Sequence, residues 1–216
     1  MKEGKQMPVK DNREYRSFVS FDIQPAEDSE NKYIVRGYAS TFEPYTLFEN
    51  DGRKYNERVE RTAFDGADLS DVIFQYNHQG PVYARNKNNS LKLFVDDHGL
   101  GVEANLGLTS RSRQLYEDIE AGLIDQMSFG FTVAKAHIEK DTRTRVIDAF
   151  KKIYDVSAVS IPANPSTEIG ISTRSLFDGL IEEEQQEMLE LERREKARKA
   201  LQLRIKIGGY LKDHGN

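Results

Sequence analysis

A hydroxyl, an imidazole and a carboxylate are enough to build a hydrolase without a thiol, and four short segments of this chain offer them. Asn77-His78-Gln79 ends a short apolar run, and Ser128-Phe129-Gly130-Phe131 opens one. Asp155-Val156-Ser157 lies in a strand-like stretch, and Ile161-Pro162-Ala163-Asn164-Pro165 follows as a tight loop. A serine hydroxyl is a poor nucleophile near neutral pH and needs a base within hydrogen-bond reach. Histidine suits that task because its ordinary pKa, about 6.5, lies near working pH. His78 and Ser128 stand fifty positions apart, so only the fold can bring them together. Taken singly, each segment has a plainer explanation. A histidine at a strand end is usually structural, an aspartate in a strand usually faces solvent, and a Pro-Ala-Asn-Pro run is a turn.

Composition narrows the alternatives. The chain has 216 residues, 38 % hydrophobic and 31 % charged, with a formal net charge of −5. That length allows one domain with a substantial core plus an appendage. The acidic balance argues against nucleic acid as the main partner, since phosphate binding needs a concentrated basic face. No run approaches the roughly 20 apolar residues that span a bilayer, and Met1–Tyr15 has no apolar segment of the signal-peptide kind. Membrane partners and secretion are therefore not expected. There is no cysteine, which removes disulfides, thiolate catalysis and sulfur-ligated zinc. The four histidines, His78, His98, His137 and His214, show no close metal-ligand spacing, so neither metal nor cofactor is expected.

The elements that must position these residues are mostly strands. Arg16–Ile23, Lys32–Thr41, Val72–Tyr76, Leu91–Val95, Gly101–Leu106, Met127–Lys135, Thr144–Phe150 and Tyr154–Ile161 carry strand-like patterning. Gln24–Asn31 reads as a turn, Asp51-Gly52 as a hairpin signal, and Asn77–Pro81 as a stop. One helix is expected before Ser128. Hydroxyls at Thr109–Ser112 can cap it, Leu115, Ile119 and Leu123 recur at spacing four, and Gly122 can end it. From Ser175 to Asn216 the chain is acidic, then basic, with helical periodicity, which reads as one or two solvated amphipathic helices. The fold class is thus mainly β with surrounding helices.

In their order and context the four segments resemble the prohead protease family of tailed bacteriophages. That family shows an Asn-His pair, a helix ending in glycine, a Ser-x-Gly-aromatic motif, then an acidic-x-Ser strand running into Pro-Ala. Gly37-Tyr38-Ala39-Ser40 and the Gly99-Leu100 turn fit the same pattern, so the resemblance covers roughly Tyr33 to Ser172. Two positions depart from it: Arg61-Thr62-Ala63-Phe64 keeps only Ala-Phe of the usual Pro-Gly-Ala-Phe, and Gln79 follows the histidine in place of Asp or Asn. The family is in turn similar to the herpesvirus assemblins, which implies a closed β-barrel of about seven strands.

The resemblance implies a serine endopeptidase with Ser128 as nucleophile and His78 as base. Asp155, 27 residues after Ser128, is the candidate to orient the imidazole, with His137 as runner-up because assemblins use a second histidine there. His98 and His214 are bystanders on this reading. Backbone N–H groups around Ala163 and Asn164 are the oxyanion candidates, and Gly130 lets backbone or substrate approach closely. The expected substrates are the scaffolding protein or the scaffolding segment of the major capsid protein, together with the chain's own termini. The work would be done inside the assembling prohead in the host cytoplasm, and a homodimer stays open. Residues 1–15 read as a flexible N-terminal stretch, 16–174 as the protease domain, and 175–216 as a tail for scaffold docking or self-cleavage. The competing readings are an inactive capsid- or scaffold-binding module of the same fold, and another hydrolase. The latter lacks support, since there is no Gly-x-Ser-x-Gly elbow and no distinctive carboxylate pair.

Overall fold

The computed structural model describes residues 13–26, 32–160 and 174–213, with backbone only at 17–22 and 204–213. Runs of β-branched and aromatic residues, broken by Gly, Asn, Asp and Pro, set its strands and turns. In chain order these are β1 (Glu14–Asp22), β2 (Gln24–Pro25), β3 (Ile34–Thr41), β4 (Tyr45–Asn50), β5 (Arg53–Val59), β6 (Ile73–Tyr76), β7 (Gln79–Arg85), β8 (Leu91–Val95) and β9 (Gly99–Asn105). Then come α1 (Ser110–Glu120), β10 (Gln126–Glu139), β11 (Thr144–Val159) and α2 (Asp178–Asp213). The chain divides into two compact units, Met1–Ile171 and Ser172–Asn216.

The strands form two sheets. The larger has seven strands in the order β1-β10-β11-β5-β4, with β6 on β11 and β7 on β6; the smaller runs β2-β3-β9-β8. The expected closed barrel is corrected here: no sheet closes on itself among the described residues. The reason lies in β11, whose 16 residues take a different parallel partner at each end. Thr144–Ile147 pair with β5 and Asp155–Ala158 pair with β6. The sheet therefore forks instead of curling round, and among the described residues it ends at β1, β4 and β7. Met127–Lys135 extends into a 14-residue β10, and the two strands expected at Thr144–Phe150 and Tyr154–Ile161 are one continuous β11. The stop expected at Asn77–Pro81 is in fact a hairpin turn followed by β7. Pro81 is tolerated there because β7 pairs only with β6, and an edge strand does not need that donor.

The core lies on one face of β10 and β11. Phe129 and Phe131 stack with ring centroids 4.5 Å apart, and Phe150 meets both edge-on. With Phe74, Val156 and Ala158 they are fully buried, each large side chain contributing about 1.5–3 kcal/mol. α1 opens as expected: the Thr109 side chain accepts from the Ser112 N–H, and Gly122 takes a left-handed φ of 71° just past the end.

The second unit is a 36-residue helix, about 54 Å long at the usual rise, after a short 3₁₀ turn at Ser175–Phe177. It is single, and it lacks one apolar face. At about 100° per residue the exposed Leu189, Leu191, Leu201 and Leu203 point in different directions. Its acidic first half and basic second half suit the helix dipole, and Glu190–Arg194 and Glu192–Lys196 add i,i+4 pairs.

Candidate active site

Three elements converge on one face of the large sheet. The first is the β6–β7 hairpin. Tyr76 pairs with Gln79, leaving Asn77-His78 as a two-residue turn with φ of 50° and 58°. This is the type I′ geometry that matches strand twist, and it prefers glycine at its second position. A histidine there costs on the order of 1 kcal/mol, and in exchange its ring projects from the hairpin tip. The turn is pinned to the end of β11. Asn77 N–H donates to Ala158 O at 3.0 Å, its Nδ2 donates to Ser160 Oγ at 3.3 Å, and its Oδ1 accepts from Ser160 N–H at 3.2 Å.

The second and third elements are β10 and β11. Their register sets Ser128 opposite Ser157 and Gly130 opposite Asp155. Strand alternation sends Phe129 and Phe131 into the core, so Ser128 and Gly130 face the other way. Asp155 and Ser157 share that side, and Val156 and Ala158 take the core side.

There His78 bridges the other two groups. Its Nε2 lies 2.5 Å from Ser128 Oγ, and its Nδ1 is hydrogen-bonded to Asp155 Oδ2. Ser157 Oγ donates to the same carboxylate oxygen at 3.0 Å and lies 3.2 Å from His78 Nδ1. Asp155 and Ser157 are buried, and the His78 side chain is 17 % exposed. A buried carboxylate held on one imidazole nitrogen, with a hydroxyl on the other, can fix the ring's tautomer and stabilise its charged form.

β1 borders the site as the strand next to β10. It runs antiparallel on β10 with Arg16 opposite Phe129 and Ser17 opposite Ser128. Ser128 Oγ is 2.8 Å from the Arg16 carbonyl oxygen, and the serine has no exposed surface. The hydroxyl has one proton, so it donates either to Arg16 O or to His78 Nε2. When it donates to Arg16, Nε2 can only be the donor in its own contact with Oγ. For His78 to act as a base, the hydroxyl must turn from Arg16 O to Nε2. Tyr15 sets its ring edge on the imidazole at a centroid distance of 4.5 Å. The Arg13 guanidinium is hydrogen-bonded to Asp155 Oδ1.

Gly130 has a specific place in this packing. A Cβ built there would stand 2.5 Å from Asp155 Oδ1, 2.9 Å from Tyr15 Cε1 and 3.1 Å from Arg13 Nε. The close approach that glycine permits is thus that of the carboxylate and its neighbours. Gly130→Ala is expected to displace Asp155 by a sizeable fraction of an ångström. Phosphonylation of Ser128 by a small fluorophosphonate, in which an Oγ–P bond replaces P–F and fluoride leaves, followed by intact mass, should slow about 10²-fold, the usual consequence of misplacing a reacting group. A rate equal to wild type would show that the carboxylate's position does not matter.

Of the residues expected from sequence, the structure brings together His78, Ser128 and Asp155. His137 is elsewhere. It lies nine residues beyond Ser128 on β10, about 30 Å along the strand, and pairs with Asp148 Oδ2 at 3.0 Å. His98 sits in the β8–β9 turn against Tyr38. Ala163, Asn164 and His214 lie outside the described residues. Arg13, Tyr15, Arg16 and Ser157 were not foreseen. Ser157 was visible in the Asp-Val-Ser motif, whereas nothing in the spacing points to the β1 residues, whose place depends on a pairing across more than a hundred positions. No cluster able to hold a metal is present among the described residues.

A serine joined through an imidazole to a buried carboxylate is the geometry by which serine hydrolases are recognised. The chain belongs to the caudovirus prohead serine protease family, whose profile matches residues 20–180. Among curated proteins and among solved structures no significant match is found, so the assemblin likeness has no counterpart there. The family match takes in His78, Ser128, Asp155 and Ser157 and leaves out Arg13, Tyr15 and Arg16.

Proposed function

We propose that the chain is a serine endopeptidase of prohead maturation in which Ser128 attacks, His78 carries the proton and Asp155 orients the imidazole. The observation that carries this reading is the continuous contact from Ser128 Oγ through His78 to Asp155 Oδ2, in a chain of a prohead protease family. His78 Nε2 takes the Oγ proton as the oxygen attacks the peptide carbonyl, then returns it to the departing amine. Asp155 accepts from Nδ1–H throughout and balances the imidazolium. Backbone N–H groups of Ala163 and Asn164, which follow β11 in sequence and lie outside the described residues, are the proposed donors to the oxyanion. The substrates are the scaffolding protein or the scaffolding segment of the major capsid protein, and the chain's own termini, cut inside the assembling prohead.

Co-expression of the wild type and of Ser128→Ala with the capsid protein tests this, with intact masses followed over time. Truncated capsid or scaffold products are expected from the wild type alone. Identical masses in both samples, with proheads verified to form, remove Ser128 as nucleophile and favour a non-catalytic assembly module.

A further inference from the structure

Asp155 uses both carboxylate oxygens, and the mechanism above accounts for only one. Oδ2 serves His78 and Ser157, while Oδ1 holds the guanidinium of Arg13. The carboxylate is 1 % exposed and the arginine side chain 37 % exposed. The guanidinium carbon lies 4.4 Å from the Tyr154 ring centroid and 5.3 Å from that of Tyr15, so two aromatics help hold it beside Asp155. The absence of a side chain at Gly130 is what leaves room for Arg13 Nε, Tyr15 and Asp155 Oδ1 together. β10, β11 and β1 thus all contribute to one packed contact around Oδ1.

Resting on the serine-protease reading, we propose that Arg13 is a positioning residue: its guanidinium anchors Asp155 through Oδ1 and so aims Oδ2 at His78 Nδ1. The physical reason is geometric. A carboxylate held through one oxygen can swing about its Cβ–Cγ bond; held through both, it cannot. Asp155 needs this because its neighbour Gly130 offers no side chain to lean on. Burial of an anion also demands compensation, and Ser157 supplies one neutral hydrogen bond while Arg13 supplies a permanent cation. The support for Asp155 then comes from Arg13, the residue just before β1 and upstream of the family-matched residues.

The test uses the full chain and a small fluorophosphonate, with the rate of Ser128 phosphonylation read by intact mass. Wild type should label and Ser128→Ala should not. Arg13→Ala is expected to slow labelling about tenfold or more, within the range by which supporting residues act. Arg13→Gln keeps the stem and an N–H donor but loses the charge, and should fall between. Arg13→Lys should recover part of the rate. Guanidinium ion at tens of millimolar should speed Arg13→Ala and leave wild type unchanged, which a merely structural role would not produce. Melting temperatures of the variants identify any loss through unfolding, and Arg13→Gln remains informative if Arg13→Ala melts. Labelling of Arg13→Ala and Arg13→Gln at the wild-type rate overturns the proposal. A faster rate overturns it too, by showing that the arginine shields the site. Absence of Ser128-dependent labelling in the wild type removes the protease reading itself, and the proposal with it.

Discussion

Asp155→Asn is expected to abolish nearly all turnover while leaving the fold intact. An asparagine fits the same space, since it differs from aspartate by one NH₂ in place of an oxygen. Its effect is on the proton arrangement. With the carboxylate at Oδ2, His78 must present Nδ1–H to it and keep Nε2 free to accept from Ser128 Oγ. An amide nitrogen turned toward Nδ1 reverses that: Nδ1 becomes the acceptor, and Nε2 carries the hydrogen and cannot take the serine proton. If instead the amide oxygen faces Nδ1, the NH₂ confronts the Arg13 guanidinium donor to donor. Either orientation leaves one contact wrong, and the negative charge that balances the imidazolium is gone in both. The expected loss is about 10⁴-fold, the size seen when a triad aspartate is made an amide. The measurement is the rate of capsid or scaffold truncation, or of Ser128 phosphonylation by the fluorophosphonate, alongside a thermal melt. A melt close to wild type with a near-total loss of rate is expected. A rate within tenfold of wild type would remove Asp155 from the triad.

The sequence pointed to His78 and Ser128, the proposed base and nucleophile, more clearly than to their setting. His78 and Ser128 stand in short motifs whose order is informative, and the helix before Ser128 shows its cap, its buried Leu115 and Ile119 and its glycine stop within fourteen residues, whereas Leu123 falls past its end and is exposed. Those are local signals. Choosing between Asp155 and His137 depends on register, a property of two strands at once: Gly130 pairs with Asp155, while His137 pairs with Val146 far down the ladder. The hairpin that raises His78 was half visible. Asn77 is a natural left-handed residue, but Gly80-Pro81 hid the returning strand, because proline is read as a break unless the strand is known to lie at an edge. The barrel expected from resemblance failed at β11, where two parallel partners share one strand, and no local pattern encodes such a fork. The placement of Arg13, Tyr15 and Arg16 was least legible of all. They belong to a polar stretch whose neighbours are set by the Ser17–Ser128 pairing alone.

That pairing gives β1 two tasks. One side of it meets the site, with Arg13 on Asp155, Tyr15 on His78 and the Arg16 carbonyl on Ser128 Oγ. Its charged side chains hold it to the sheet. Arg16 Nε and Nη2 donate to the two oxygens of Glu57 at 2.6 and 3.0 Å. Arg145 on β11 donates to Glu57 at 2.7 Å and to both oxygens of Glu14 at 2.7 and 2.9 Å. Tyr45 donates to Glu57 at 2.5 Å. Two arginines and two glutamates from three strands thus close a nearly buried ring around a carboxylate with no exposed surface. Burial pushes the Glu57 carboxyl up, but Arg16 and Arg145 outweigh it and draw it down to about 2. Burial and the same carboxylate push the Tyr45 hydroxyl well above its ordinary value.

Glu57→Gln should therefore be the most destabilising single change near the site. The glutamine keeps the volume and an acceptor oxygen, but leaves Arg16 and Arg145 facing each other with only the half-covered Glu14 between them. Breaking a buried pair from one side costs about 3–5 kcal/mol, which for a domain of this size lowers the melting temperature by on the order of 10 °C. The pH dependence separates this from a packing defect. Glu57 titrates lower in the folded protein, about 2 against an ordinary 4.5, so its contribution is fully present above about pH 4.5. It is lost as pH falls from there through 2, amounting to about 3 kcal/mol. Unfolding by urea followed from pH 7 to pH 2 should show the wild type converging on Glu57→Gln as acid is added, the gap between them closing below pH 4.5. A constant gap would mean that the carboxylate's charge is not what the arginines hold. Above pH 5 and well below its own melting point, the folded Glu57→Gln protein should still label at Ser128, because the triad itself is untouched, whereas Asp155→Asn should fail to label at any temperature at which it is folded. The two variants thus divide the strand's work: Glu57 fixes how firmly β1 is held beside β10, and Asp155 fixes what the residues next to it can do.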